Sequence, residues 1–181
     1  MCRADVLGMI GKVQRRMGKM MVSPNMAAKL NDQINAEFYS SYLYLGMATW
    51  FDAQGLKVFA QRFFRQAEEE WGHGMKILKY LLEVGATVEL KEIARPRQDW
   101  ETPEQVVQAT LDHELHVTKL INDLMKAAVE ESDYATQSFL KWFVDEQVEE
   151  VSSMTELLNL VKMAGPDRIM LVEQRLAAMM G

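Results

Sequence analysis

The chain has almost no cysteine: Cys2 is the single thiol in 181 residues. That excludes an intramolecular disulfide and a site built on several thiolates. It also suits a reducing compartment, and a cytoplasmic protein is expected. Proline and glycine are scarce too, with four and ten residues. Few turns are therefore available, which favours a few long helices over many short strands. No apolar run approaches the roughly 20 residues that span a bilayer, so no membrane partner is expected. The N-terminal stretch lacks the uninterrupted apolar core of a secretory signal.

Net positive charge is confined to the first residues. The formal net charge is −6. Residues 1–20 hold Arg3, Lys12, Arg15, Arg16 and Lys19 against Asp5, five minus one, a local +4; the remainder carries −10. An acidic body disfavours nucleic acid and suits a protein that handles cations. The length fits one domain with a substantial core.

What is present is helical periodicity in four long segments. The first follows Ser23-Pro24, an N-cap with proline at the first helical position. Its inward stripe reads Leu30, Ile34, Glu37, Ser41, Tyr44, Ala48, Phe51, and it ends near Gly55. The second runs from about Leu56 to Val84 through Phe59, Phe63, Gln66, Glu70, His73, Ile77 and Tyr80, and stops at Gly85. The third opens at Thr102-Pro103-Glu104-Gln105, a capping-box pattern, and carries Val107, Leu111, Glu114, Thr118, Ile121, Met125 and Ala128. The fourth starts near Asp133 with Phe139, Phe143, Gln147, Glu150, Met154, Leu157 and Val161, and Gly165-Pro166 breaks it. A short amphipathic piece, about 167–180, follows. Helices of about 30 residues are about 45 Å long, and such matched lengths pack side by side in a bundle. The first and third joins are short, as in antiparallel hairpins. The middle join, about residues 86–101, spans about 50 Å when extended and so travels the whole bundle. The expected fold is all-α: two hairpins joined by one long crossover, with a short fifth helix at the C-terminus.

Polar residues interrupt all four stripes at similar heights. Glu70 follows Glu37 by 33 residues and His73 lies three beyond; Gln147 follows Glu114 by 33 and Glu150 lies three beyond. Residues i and i+3 share a helix face, so Glu70 and His73 both reach one inward site. Two hairpins packed face to face bring Glu37, Glu70, His73, Glu114 and Glu150 together. Four buried carboxylates cannot all be ionised without compensation; one or two divalent cations supply it, with one carboxylate bridging. Oxygen ligands plus one imidazole suit iron or manganese. Taken singly, each residue has a plainer reading. Glu70 lies in the run Glu68-Glu69-Glu70, usually a solvated face, and a lone histidine is more often structural than a ligand. The repetition in both hairpins argues against those readings. His113 and His116 lie off the inward face and are read as surface residues. Tyr44, two turns beyond Glu37, is either packing or a redox-active or hydrogen-bonding phenol near the metals.

Several stretches resemble the non-haem bacterial ferritins. They are Asn31-Asp32-Gln33-Ile34-Asn35-Ala36-Glu37-Phe38-Tyr39, Gln66-Ala67-Glu68-Glu69-Glu70-Trp71-Gly72-His73, His113-Glu114, and Phe139 through Glu150. The resemblance covers residues 21–181. It implies a ferritin-like diiron domain: a homo-oligomeric shell of twenty-four subunits that oxidises Fe(II) with dioxygen or peroxide and stores ferric oxide mineral. It implies one iron at Glu37, Glu70 and His73, and a second at Glu114 and Glu150, with Glu70 bridging. Gln147 becomes a weak or outer ligand, and Glu69, Glu146 and Glu149 a third, inner iron site. Tyr44 matches the tyrosine near the iron pair. The short last helix is similar to the one lining fourfold channels, and Glu130, Glu131 and Asp133 fall near threefold pores. Trp71 stands where bacterioferritins place the haem-ligating methionine, so haem is not expected. Residues 1–20 depart from the pattern: either Met21 is the initiator and the extension a start-site artefact, or they form a basic amphipathic arm (Val6, Met9, Ile10, Val13, Met17). Competing functions are a shell subunit without catalysis and another diiron carboxylate oxidase or peroxidase. For a rubrerythrin-like peroxidase the Cys-x-x-Cys segment is missing.

Overall fold

The structure, a computed structural model, describes residues 20–180; the arm expected over residues 1–20 lies outside them except for Met20. Four long helices form: α1 (Pro24–Ala53), α2 (Lys57–Glu83), α3 (Pro103–Glu130) and α4 (Tyr134–Ala164). A 3-10 turn, Pro166–Arg168, leads into the short α5 (Ile169–Met180). No strand forms among the described residues, and no described helix is long and apolar enough to cross a membrane.

The helix ends follow local chemistry. Ser23 caps α1 by accepting the Met26 N–H at 3.0 Å, and Thr102 caps α3 by accepting the Gln105 N–H at 3.2 Å. Gln105 reaches back to the Glu101 N–H at 3.2 Å, one residue earlier than a capping box puts it. Asp133 caps α4 through the Thr136 N–H at 3.0 Å. Gly165 ends α4 in a left-handed conformation, φ +70°, before Pro166 forbids continuation. The start of α2 has no cap of its own, because Leu56 carries no acceptor. Buried Glu173 of α5 supplies it: its carboxylate accepts the Val58 N–H at 3.0 and 3.1 Å and the Phe59 N–H at 3.2 Å. A negative charge at a helix N-terminus is stabilising, so one residue both caps α2 and docks α5.

The crossover runs along α1 for most of its length. Buried Asn31 pins its start, donating to the Thr87 carbonyl and accepting the Glu89 N–H. Gln98 packs over Gly46, and the Trp50 indole N–H donates to the Trp100 carbonyl near the far end. Within the hairpin, α1 and α2 come close enough at Gly74 that an added Cβ would meet the Phe38 ring at 2.6 Å.

The apolar core is split in two. One half gathers Tyr44, Met47, Phe51, Phe59, Phe63, Met154 and Leu157. The other gathers Leu30, Ile34, Ile77, Leu81, Ile121 and Leu140. Between them lies a layer of buried polar side chains.

Candidate metal centre

That layer holds Glu37, Glu70, His73, Glu114, Gln147 and Glu150, all between 1% and 8% exposed. Each long helix contributes at least one of them. One ligand atom each from Glu37, Glu70 and His73 falls within 4.8 Å of the others, the geometry of a metal-binding group. The stretches that build it repeat a small device. Gln33 donates to Glu37 Oε1 at 2.8 Å from four residues earlier, and Gln66 donates to Glu70 Oε1 at 3.2 Å from the same spacing. The other Glu70 oxygen lies 3.3 Å from His73 Nδ1. Ser41 ties the two helices beside the group by donating to the Ala67 carbonyl at 2.7 Å.

Glu114 and Glu150 come in from the second hairpin, near enough that their charges act on Glu70. Tyr44 is fully buried and donates its hydroxyl to Glu114 Oε1. Gln147 presents its carbonyl oxygen to the Thr118 hydroxyl at 2.9 Å. Two buried carboxylate oxygens, Glu37 Oε2 and Glu114 Oε2, have no hydrogen-bond partner at all. Such orphans are costly inside a protein, and cation ligation is one way to satisfy them. The hard oxygen donors and single imidazole fit iron. The other carboxylates implied for iron sit further out: Glu69 and Glu149 are exposed and Glu146 is half-buried.

Without a cation these acids resist ionisation. Burial, and then the Glu70 charge, push the Glu37 carboxyl up to about 8. Burial raises Glu114 to about 7, with the Glu150 charge adding to it and the Tyr44 hydrogen bond opposing it. Burial, followed by Glu114, holds Glu70 well above the carboxylate range, and burial raises Glu150. Tyr44 is likewise held well above the usual phenol range, first by burial and then by Glu114, so it stays a donor.

These shifts fix a pH dependence. A carboxyl raised in the native state holds its proton where the unfolded chain, near 4.5, has lost it. Over that window the native state binds more protons, so stability falls as pH rises. The metal-free protein is therefore expected to lose thermal stability between about pH 5 and pH 8, and Glu37→Gln to lose less. Divalent metal, which needs the ionised carboxylates, flattens the decline and releases protons on binding. Calorimetric Tm against pH, with chelator and with metal, checks this; a Tm that rises with pH in chelator contradicts it.

The structure corrects one reading and adds residues. His113 is not a surface residue. α1 packs closely enough to cover it, so it is half-buried, with Nε2 2.7 Å from Ser40 Oγ and its ring edge-on to Tyr44 at 5.9 Å. Burial, helped by the His116 charge, pulls its pKa down to about 4, so it is neutral. His116 is exposed, as expected. Gln33 and Gln66 emerge as partners only from the contacts, although each stands four residues before a ligand glutamate, and that repeated spacing is a usable signal. Thr118 and Ser40 carry no such signal.

Known proteins carry the same layout. Residues 27–164 match the family described as the Ferritin-like domain. The chain is 38% identical over 147 residues to a probable bacterial non-heme ferritin-like protein of Haemophilus influenzae, covering 81% of this chain and 89% of that one. It is 37% identical over 160 residues to a bacterial non-heme ferritin of Staphylococcus aureus, covering 87% and 96%. An open pore ferritin from Archaeoglobus fulgidus superposes with a TM-score of 0.84 at 38% identity, over 87% of this chain and 97% of that chain.

Proposed function

The chain belongs to the ferritin-like family, and from that membership we propose that it stores iron, oxidising Fe(II) at a buried two-iron site and depositing ferric mineral inside a hollow shell. The observation that carries the reading is the convergence of buried Glu37, Glu70 and His73 beside two orphaned carboxylate oxygens. Iron is here the substrate and cargo. One Fe(II) takes Glu37, Glu70 and His73; the second takes Glu114 and Glu150, with Glu70 shared. Two Fe(II) ions lose one electron each, and the pair reduces one dioxygen to the peroxide level or one peroxide to water.

The protein's part is placement and charge. Gln33 and Gln66 hold one oxygen each of Glu37 and Glu70 and leave the others for metal. Tyr44 orients Glu114 from below. As carboxylates lose their protons on metal arrival, the site binds better at higher pH. Gln147 is an outer ligand, held by Thr118. Large apolar side chains left exposed, among them Tyr42, Leu82, Leu90 and Tyr134, support assembly with further copies, for which twenty-four is the proposed number. The single cysteine supports a cytoplasmic location. Residues 21–181 form the working domain.

Aerobic addition of many Fe(II) equivalents to metal-free protein tests the function. The expected result is ferric iron eluting with protein as one large assembly. Iron that precipitates, leaving iron-free protein in solution, overturns it.

A further inference from the structure

α3 and α4 leave an opening beside the metal layer. A groove of about 410 Å³ lies between them, walled by Leu115, Val144, Val148 and Val151. Leu115 and Val148 are exposed at its rim, whereas Ile121 and Gln147, which also line it, are only 1% and 5% exposed. The groove therefore runs from solvent down to a member of the metal layer itself. At that inner end the Thr118 hydroxyl donates to Gln147 Oε1 at 2.9 Å. Thr118 stands four residues after Glu114 and Gln147 three before Glu150, so each is one helical turn from a carboxylate of the site.

The lining sorts small solutes by their chemistry. Among the described residues no charged side chain faces the groove. A dication entering it gives up water and finds no ligand in exchange, which is costly. A small, neutral, apolar molecule is favoured against such walls, as xenon is in apolar cavities. A second cleft, between α1 and α3, reaches the same layer through Gln33, the side chain that holds Glu37. That one carries Lys29, Asp32 and Asp123. The two openings thus differ in charge while leading to one site.

We propose that the α3–α4 groove is the port through which dioxygen reaches the metal layer, with the Thr118–Gln147 contact as its inner gate. This rests on the two-iron reading above, which names dioxygen as an oxidant, and it separates the route of the apolar oxidant from that of the cation. Val148, at the rim, touches neither metal nor oxidant in the site; a larger side chain there narrows the entrance and leaves the ligands alone.

Two measurements test the port. Crystals of the native, metal-free protein held under xenon are expected to show the gas in the groove against Ile121 and Gln147. The initial rate of Fe(II) oxidation is then followed against dissolved dioxygen for native protein and Val148→Trp. The variant is expected to lose roughly fivefold in kcat/KM for dioxygen, with kcat at saturating dioxygen unchanged and the same number of Zn(II) ions bound per subunit. An absence of xenon, a groove filled by a side chain of a neighbouring copy, or an unchanged dioxygen dependence each overturns the port and leaves the two-iron reading intact. The xenon measurement needs no variant, so the test survives a failure of Val148→Trp to fold. Native protein that oxidises Fe(II) no faster than buffer overturns the two-iron reading and the port with it.

Discussion

Replacing Glu70 with alanine is expected to slow the initial rate of Fe(II) oxidation by on the order of 100-fold, to that of iron in buffer. Even outer partners of metal ligands typically cost 10- to 100-fold, and Glu70 is central rather than outer. It touches His73, accepts from Gln66 and stands beside Glu37, Glu114 and Glu150. In the proposed site it is the one residue shared by both irons. Its removal leaves each iron a ligand short and takes away the bridge. The fold is expected to survive. Glu70 is a buried acid held well above its ordinary pKa, so in the metal-free protein it contributes cost more than support. The variant should therefore retain its helical signal and a Tm close to that of the metal-free native protein. What disappears is the rise in Tm on adding divalent metal, because that rise reports binding to the native state alone. Stopped-flow ferric absorbance on native and variant protein reads the rate. Equal initial rates contradict the assignment of Glu70.

Phe63→Ala is expected to produce the largest loss of stability, about 3–5 kcal/mol. Phe63 is 1% exposed and stands at the head of the apolar half nearest the metal layer. Its ring lies 5.0 Å from Phe51 and 6.1 Å, edge-on, from Tyr44. Truncation leaves a cavity between two helices whose backbones are fixed by their other contacts, so little collapse is available. At roughly 2–4 °C per kcal/mol for a chain of this size, the Tm falls by on the order of 10 °C. Tyr44 loses the ring that packs against it, so its hydrogen bond to Glu114 loosens and oxidation slows as well, by less than for Glu70→Ala. Urea unfolding of the two proteins under matched conditions measures the difference. A loss below about 1 kcal/mol would show that the apolar half repacks freely, against a close-packed core.

Much of this is legible in the amino-acid sequence alone. Ser23-Pro24, Thr102-Pro103, Gly85 and Gly165-Pro166 mark helix ends through local backbone chemistry, and the observed ends fall within a residue or two of them. The crossover follows from reach alone. The polar layer is legible because helical period and the repeated 33-residue spacing place Glu37, Glu70, His73, Glu114, Gln147 and Glu150 at one height, and all six are buried. What sequence does not disclose depends on how helices meet. Glu173 caps α2 from 115 residues away in the chain, and nothing local distinguishes it from a surface glutamate. His113 is covered by α1 rather than by its own helix. Periodicity gives the face of a helix; it does not give the neighbour that face receives.

The most direct test of the central claim is anomalous scattering at the iron edge from crystals of the metal-free protein soaked with Fe(II) without oxygen. Two peaks about 3.5–4 Å apart are predicted inside each bundle, one against Glu37, Glu70 and His73 and the other against Glu70, Glu114 and Glu150. A bundle interior without iron, or peaks confined to the exposed acidic side chains, would contradict the account.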